Sequence, residues 1–284
     1  MKMFPTLLFL CCSFQLLYSQ KTTATLEEVS RFSETTTYVI KQNDLTNEYN
    51  TFIQEAFEKY WDISDFELIS YSEFEEKRQD EHNSFVLLTN TGIGTGTSFA
   101  EYKFVSVLMG GDFQTINEMP EVCSFPLMAT DDESGDQMVV LPAIIQFLNN
   151  HIKNMQSNPA LLKDSKFKYY TKQKRNFTSK KLYLIKENQT SAFQTKKAIT
   201  DIYPHPVSFV EYSDIADAIA ENKENIVFHL KVSTQKGTNS TRCYTIIMGC
   251  DGKLYYFNYH TIKNTDPTNG ILAKEWKKFT KYTQ

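Results

Sequence analysis

Cys250, Asp251 and His260 are the side chains whose types could do covalent chemistry, and they lie within eleven residues of one another. A thiol, a carboxylate and an imidazole can serve as nucleophile, orienting group and base, the parts of a hydrolase. Their spacing argues against that use, because adjacent residues in a strand, here Cys250 and Asp251, point to opposite faces. The remaining histidines, His82, His151, His205 and His229, show neither a pair one helical turn apart nor an accompanying Cys-x-x-Cys, so no metal spacing is present. Gly92-Ile93-Gly94-Thr95-Gly96 has the composition of a phosphate cradle. Such loops lead from a strand into a helix N-terminus, whereas this one joins the strands expected at 85–88 and 102–109, so it reads as a hairpin loop that could face a ligand. Asp131, Asp132, Glu133 and Asp136 lack an EF-hand pattern; their charge suits the N-terminus of the helix expected from Leu141-Pro142. There is no G-x-S-x-G segment. These residues yield no catalytic, metal-ligating or cofactor-binding assignment and no cofactor, and the balance leans away from an enzyme.

The charge balance, 30 Lys and Arg against 34 Asp and Glu, gives −4 and argues against a general nucleic-acid binder, which would carry a basic face. With 41% hydrophobic and 14% aromatic residues in 284, there is ample material for a core, and disorder is excluded. Two domains or one large one are expected from that length.

Residues 1–19 read as a secretory signal peptide: Lys2 is the only charge before Lys21, Phe4 to Leu17 is apolar, and Ser19 suits the position before a cut. The apolar run is shorter than the roughly 20 residues needed to span a bilayer, and no later segment qualifies as a membrane span. Export leaves Cys123, Cys243 and Cys250. Cys243 and Cys250 lie seven residues apart in one expected strand, which at about 3.3 Å per residue puts them beyond disulfide reach. A bridge would have to use Cys123; three buried thiols are the expected state. Asn176, Asn188 and Asn239 open Asn-x-Thr triplets, which are glycan acceptors only in a host that modifies such sites.

These residues must be positioned by a chain that repeats itself. YVIKQN from Tyr38 matches YLIKEN from Tyr183, an offset of 145; the stretch from Tyr71 to Leu88 runs without gaps against Tyr212 to His229, an offset of 141; LMGGD from Leu108 matches IMGCD from Ile247, an offset of 139. Three matches in one order predict a tandem duplication. Each copy reads β-α-β-α-β-β-β-α, a mixed α/β sheet covered by helices. In the first copy Leu45, Tyr49, Phe52, Ile53, Ala56, Phe57 and Tyr60 share a helical face, and Ser72 with Glu75 forms a capping box. In the second, Thr190 caps a short helix and Ser213 starts another. Asp251-Gly252 marks a hairpin turn into a strand at 253–259, and Leu272, Trp276 and Phe279 form the closing helical stripe. The organisation is then 1–19 signal, 20–35 N-terminal extension, 36–157 first repeat, 158–181 basic linker and 182–284 second repeat. Lys163 to Lys181 holds eight basic residues in nineteen and reads as a solvated linker, or an edge strand through Phe167 to Tyr170, in preference to a patch for an anionic surface.

The signal ending in Ser-Gln, the YVIKQN and YLIKEN starts and the segment from Tyr203 to His260 resemble uncharacterised exported tandem α/β-repeat proteins of Bacteroides-like bacteria. That resemblance implies export to the periplasm, the outer membrane or the medium and carries no catalytic residue with it. A soluble, non-catalytic envelope protein that binds a small-molecule ligand or another protein in the groove between its copies is expected, with neither nucleic acid nor membrane span. A hydrolase acting on an envelope or host-derived polymer stands as the alternative.

Overall fold

The computed structural model describes residues 22–43, 48–96, 99–164, 166–234, 241–262 and 269–282. The signal segment, Leu45, and the loop residues 235–240 with Asn239 lie outside the described residues.

The first unit runs β1 (Thr36–Ile40), α2 (Glu48–Tyr60), β2 (Asp65–Ile69), α3 (Tyr71–Lys77), β3 (Asn83–Ile93), β4 (Ala100–Met109), β5 (Glu121–Ala129) and α4 (Leu141–Ser157), after a short α1 (Leu26–Ser30). Its sheet is ordered β2-β1-β3-β4-β5, with β1 parallel to both neighbours and the rest antiparallel. After α5 (Lys168–Lys172), the second unit runs β6 (Lys181–Leu184), α6 (Lys196–Thr200), β7 (Val207–Phe209), α7 (Tyr212–Ala220), β8 (Ile226–Val232), β9 (Arg242–Gly249), β10 (Leu254–Thr261) and α8 (Ala273–Phe279). Its order, β7-β6-β8-β9-β10, is the same. The parallel pairs in each unit need crossovers, which α2 and α3, or α6 and α7, supply; the antiparallel strands need only turns. Both halves therefore have the expected β-α-β-α-β-β-β-α order. The third antiparallel strand of the first unit, which has no clear signal in the sequence, is β5, reached by the long connection 110–120.

Strand pairing corrects the offsets between the halves. Thr37 pairs with Ser84 and Leu182 with Val227, so β1 and β6 match at 145 while β3 and β8 match at 143. The gap-free offset of 141 holds for the start of α3 and α7 and fails by the next strand, because α7 has nine residues and α3 seven. Ser84 pairs with Met109 and Val227 with Gly249, which sets β4 against β9 at 140 instead of 139. One residue matters, since a slip of one turns every side chain to the other face. Leu108 packs in the cluster around Phe74 beneath α3, whereas Ile247 packs on the opposite face, with Trp276 of α8. Met248, packed with Ile215 of α7, is the true counterpart.

Helix starts are also displaced from expectation. The first-unit capping box is Ser70 with Glu73, two residues before Ser72 and Glu75: Ser70 Oγ accepts from the Glu73 N–H at 3.3 Å and the Glu73 carboxylate accepts from the Ser70 N–H at 2.7 Å. Glu75 instead pairs with Arg78 at 2.7 Å. In the second unit Glu211 precedes α7 and its N–H donates to Asp214 at 2.9 Å, while Thr195, not Thr190, caps α6. Ser70→Ala is expected to lower stability by about 1 kcal/mol in urea unfolding, since it strips one orphan N–H of its acceptor.

One core joins the units. Ile53 and Phe57 of α2, Ile144 and Leu148 of α4, Val107 of β4 and Phe125 of β5 share a cluster with Ile215 and Ile219 of α7, Leu230 of β8 and Ile246 of β9. At the seam Lys59 Nζ donates to the Ala220 carbonyl at 2.8 Å, and the Tyr102 hydroxyl both donates to the Arg242 carbonyl and accepts from its N–H at 2.8 Å. The basic stretch between the units is neither a solvated tether nor an edge strand. It forms a 3₁₀ turn and α5, and Leu161, Phe167, Tyr170 and Phe177 are buried while its lysines face water. Such lysines leave the apolar members free to pack, so the charge run conceals a buried stripe. Val29 and Phe32 of the N-terminal extension are fully buried in the same core.

Candidate functional site

A cleft of about 460 Å³ opens where the units meet. One wall is the end of the β3–β4 hairpin, Thr91 to Gly94; Phe104 and Pro126 continue it along the first sheet. Arg242, Tyr244, Phe257 and Tyr259 of the β9–β10 pair form the other wall, and Lys166, just before α5, closes one side. Three separated parts of the chain therefore meet here.

The aromatic wall is built by cross-strand pairing. Tyr259 lies opposite Tyr244 in the β9–β10 register, and their rings are 5.5 Å apart. Tyr244 also meets the Tyr102 ring at 5.8 Å and Phe257 at 6.0 Å, which fixes it from behind. Over this wall stand two cations: the Arg242 guanidinium lies 4.5 Å from the Tyr259 ring centre, and Lys166 Nζ lies 5.1 Å from it. The hydrogen bond from Lys166, with the Arg242 charge beside it, holds the Tyr259 hydroxyl below the ordinary phenol range. Burial pushes Tyr244 the other way. No carboxylate is among the described residues lining the cleft, so its electrostatic sign is positive in a chain whose net charge is −4. Gly94, at φ +94°, lets the hairpin turn beside the opening without a side chain. The glycine segment is thus a hairpin end, as its context indicates, and it faces a groove between the copies.

The structure separates the grouping of Cys250, Asp251 and His260. Cys250 and Asp251 sit at the turn end of the hairpin, with Asp251 paired to Lys253 at 2.6 Å, while His260 is near the far end, opposite Cys243. A different grouping forms there: Glu275 of α8 reaches the same sheet face, with His260 Nδ1 4.0 Å from its carboxylate. The pairing of Cys243 with His260 follows from the hairpin only after a bulge between Leu254 and Tyr256 shifts the register by one residue, which the turn residues alone do not announce. Chemically the group is unready for attack. Cys243 is fully buried, and burial pushes its thiol up to about 12, whereas a nucleophilic cysteine needs access and a lowered pKa. Cys123 and Cys250 are likewise buried and free, and burial raises both thiols, Cys250 to about 12.

The acidic cluster has a structural use. Asp132 accepts from the Ser134 N–H at 3.1 Å and from Gln137 Nε2 at 2.7 Å, bracing the turn at Gly135. A 3₁₀ turn over Asp136–Val140, which Asp136 itself begins, stands between α4 and Asp131, Asp132 and Glu133, so these three lie upstream of the helix end they were expected to complement. Among the described residues no group of three or more His, Cys, Asp or Glu is placed to hold a metal, and no helix is long and apolar enough to cross a membrane. Thr178 and Thr190, the hydroxyl residues of two Asn-x-Thr triplets, are buried, and Asn188 donates to the Tyr212 hydroxyl at 2.9 Å.

No family model, no curated protein and no solved structure matches the chain. Its function has to be read from the chemistry of its own clefts.

Proposed function

We propose that the protein is an exported, non-catalytic binding protein of the cell envelope whose inter-unit cleft takes an anionic ligand with a flat apolar face, such as a sugar acid or an aromatic acid. The convergence of Lys166 and Arg242 on the Tyr259 ring supports this reading most directly. A guanidinium offers paired donors that match a carboxylate, and a neighbouring ring offers a surface for a sugar or aromatic face. The volume falls within the few hundred Å³ of ordinary small-ligand sites. A hydrolase reading finds its support in Cys243, His260 and Glu275, and the buried, protonated thiol weighs against it.

Isothermal titration with galacturonate and benzoate, each set against its uncharged counterpart galactose or benzyl alcohol, tests the reading. At least one acid is expected to bind saturably while its counterpart does not. Arg242→Ala is expected to weaken that binding at least tenfold, because a hydrogen bond to a charged group contributes about 1.5–3 kcal/mol. If neither acid binds, or if binding is unchanged in a K166A/R242A variant, the proposal is lost.

A further inference from the structure

The net charge of −4 hides a strong separation. Over residues 36–157 there are 6 Lys and Arg against 20 Asp and Glu, a balance of −14; over 158–284 there are 21 against 11, a balance of +10. On each side the charge gathers on a face that the fold leaves open. In the second unit, the sheet face beneath α7 is sealed by the first unit, with Ile215, Ala218 and Ile219 in the shared core. Among the described residues, the corresponding face of the first unit, beneath α3, has no such partner. There the residues matching Ala218 and Ile219 are Lys77 and Arg78, only seven buried apolar residues form the cluster below, and a depression of about 550 Å³ opens between α3, the sheet and the 116–119 segment. Tyr71 at its edge is 47% exposed, and Lys103 and Glu121 are the charged residues of its lining; exposed Glu67 of β2, Glu73 and Glu76 of α3, and Asp112 and Glu118 of the 110–120 connection are carried by the neighbouring segments.

At the other end of the molecule, α6 and α8 cover the outer face of the second sheet, where Ile199 and Tyr203 pack with Trp276 and Phe279. Outward from them point Lys196, Lys197, Lys274, Lys277, Lys278 and Lys281; the one acid of α8, Glu275, is turned inward and buried. This helix face corresponds to the α2 and α4 face of the first unit, the one that packs on the α7 side of the second.

We propose that the protein associates head to tail with a second copy of itself, the basic α6–α8 face of one chain docking on the acidic α3 face of the next. This uses once more, between chains, the stacking that joins the two units within a chain. Lys77 and Arg78, in place of Ala218 and Ile219, keep this face from closing into an apolar core, Arg78 being held by Glu75 and the Phe113 and Gln114 carbonyls; the exposed carboxylates of the face then make the contact electrostatic and reversible where the internal one is sealed. The two faces differ, so the contact is heterologous and each chain can hold two neighbours. Opposite charge on the faces fixes their order, because like faces repel.

Sedimentation velocity tests this on the exported chain. At 50 mM NaCl the weight-average sedimentation coefficient is expected to rise with concentration, and at 500 mM, where the Debye length falls to about 4 Å, it is expected to return to the monomer value. Glu67→Lys with Glu76→Lys, and separately Lys274→Glu with Lys277→Glu, should each leave a monomer at 50 mM NaCl. These residues are exposed and outside the cap and core contacts, and circular dichroism is expected to show unchanged folds. An equimolar mixture of the two variants is expected to associate again, since each reversed face then meets its complement. Wild type that stays monomeric at low salt overturns the proposal, as does association that survives in both variants or a mixture that fails to recover it.

Discussion

Lowering the pH from 6.5 to 4 is expected to remove on the order of 3 kcal/mol of stability for each of two buried histidines, His151 and His229. Burial holds His151 down to about 4 and His229 to about 3. The unfolded chain binds a proton at each near pH 6.5, and the folded chain does so only at those lower values. Between them the unfolded state holds more protons, so stability rises with pH; it is fully present above 6.5 and drains away on acidification. The surroundings explain the shifts. The His151 ring is stacked on Phe147 at 5.5 Å, packed against Phe167 at 5.1 Å, and bonded through Nδ1 to the Tyr170 hydroxyl at 2.8 Å, a largely apolar setting that hydrates a cation poorly. His229 is fully enclosed beside Gln189, and Lys231 nearby disfavours a second positive charge. Asp62, held below the usual carboxylate range first by its hydrogen bond from Lys153, adds to the loss in the same direction. Urea unfolding at intervals between pH 7 and 4 measures this. A flat profile over that range, or an unchanged slope in a His229→Gln variant, would falsify it.

Replacing Glu275 by Ala is expected to cost about 3 kcal/mol, because four neutral donors lose their acceptor together. Its carboxylate is 2% exposed and gathers four donors: the Tyr256 hydroxyl and Asn258 Nδ2 at 3.0 Å each, the Leu272 N–H at 3.1 Å and the Thr245 hydroxyl at 3.3 Å. Truncation to Ala strands the buried Tyr256 and Thr245 hydroxyls, while Asn258 and the Leu272 N–H are only half-buried; each buried polar group left unpaired costs about 1–3 kcal/mol less whatever relaxation recovers. Glu275→Gln keeps one acceptor oxygen and is expected to lose less than half as much. The carboxylate also positions α8 on the β9–β10 pair, so the Ala variant should expose Trp276, which is otherwise fully buried, and shift its emission to the red. An Ala variant within 1 kcal/mol of wild type by guanidinium unfolding would remove Glu275 from any role in holding the second unit.

Much of this architecture is legible along the chain. Tyr49, Ile53, Ala56 and Phe57 lie at helical spacing and are buried in α2; Asp251-Gly252 marks the hairpin turn, with Gly252 at φ +68° as such a turn requires. These are near-neighbour effects, set by backbone preference and by which face of one element is apolar. The displaced cap and the buried turn have local causes too. Ser72 and Glu75 satisfy the capping pattern as well as Ser70 and Glu73 do, and Ser70 prevails because the chain leaves the β2 strand in extended conformation at that residue. Phe167 and Tyr170, set among lysines, gave too short an apolar signal to distinguish a buried turn from a solvated run.

The Cys243–His260 pair was only partly within reach of sequence reasoning: Asp251-Gly252 marks the turn, but the register shifts at a bulge between Leu254 and Tyr256 before that pair is reached; Glu275 was out of reach, since α8 docks through packing that no spacing records. The cleft lay further out of reach. Gly92, Lys166 and Tyr259 come from a hairpin end, an inter-unit turn and a strand, and they meet only because the two sheets share one core. By itself the sequence determined the two α/β units, their element order and most of their inward faces, all consequences of periodicity and turn chemistry within a few residues. Tertiary structure alone decided how the units stack, which face each leaves open, and which cations stand over which rings, because burial of apolar surface between distant segments depends on shape and register that no local stretch contains.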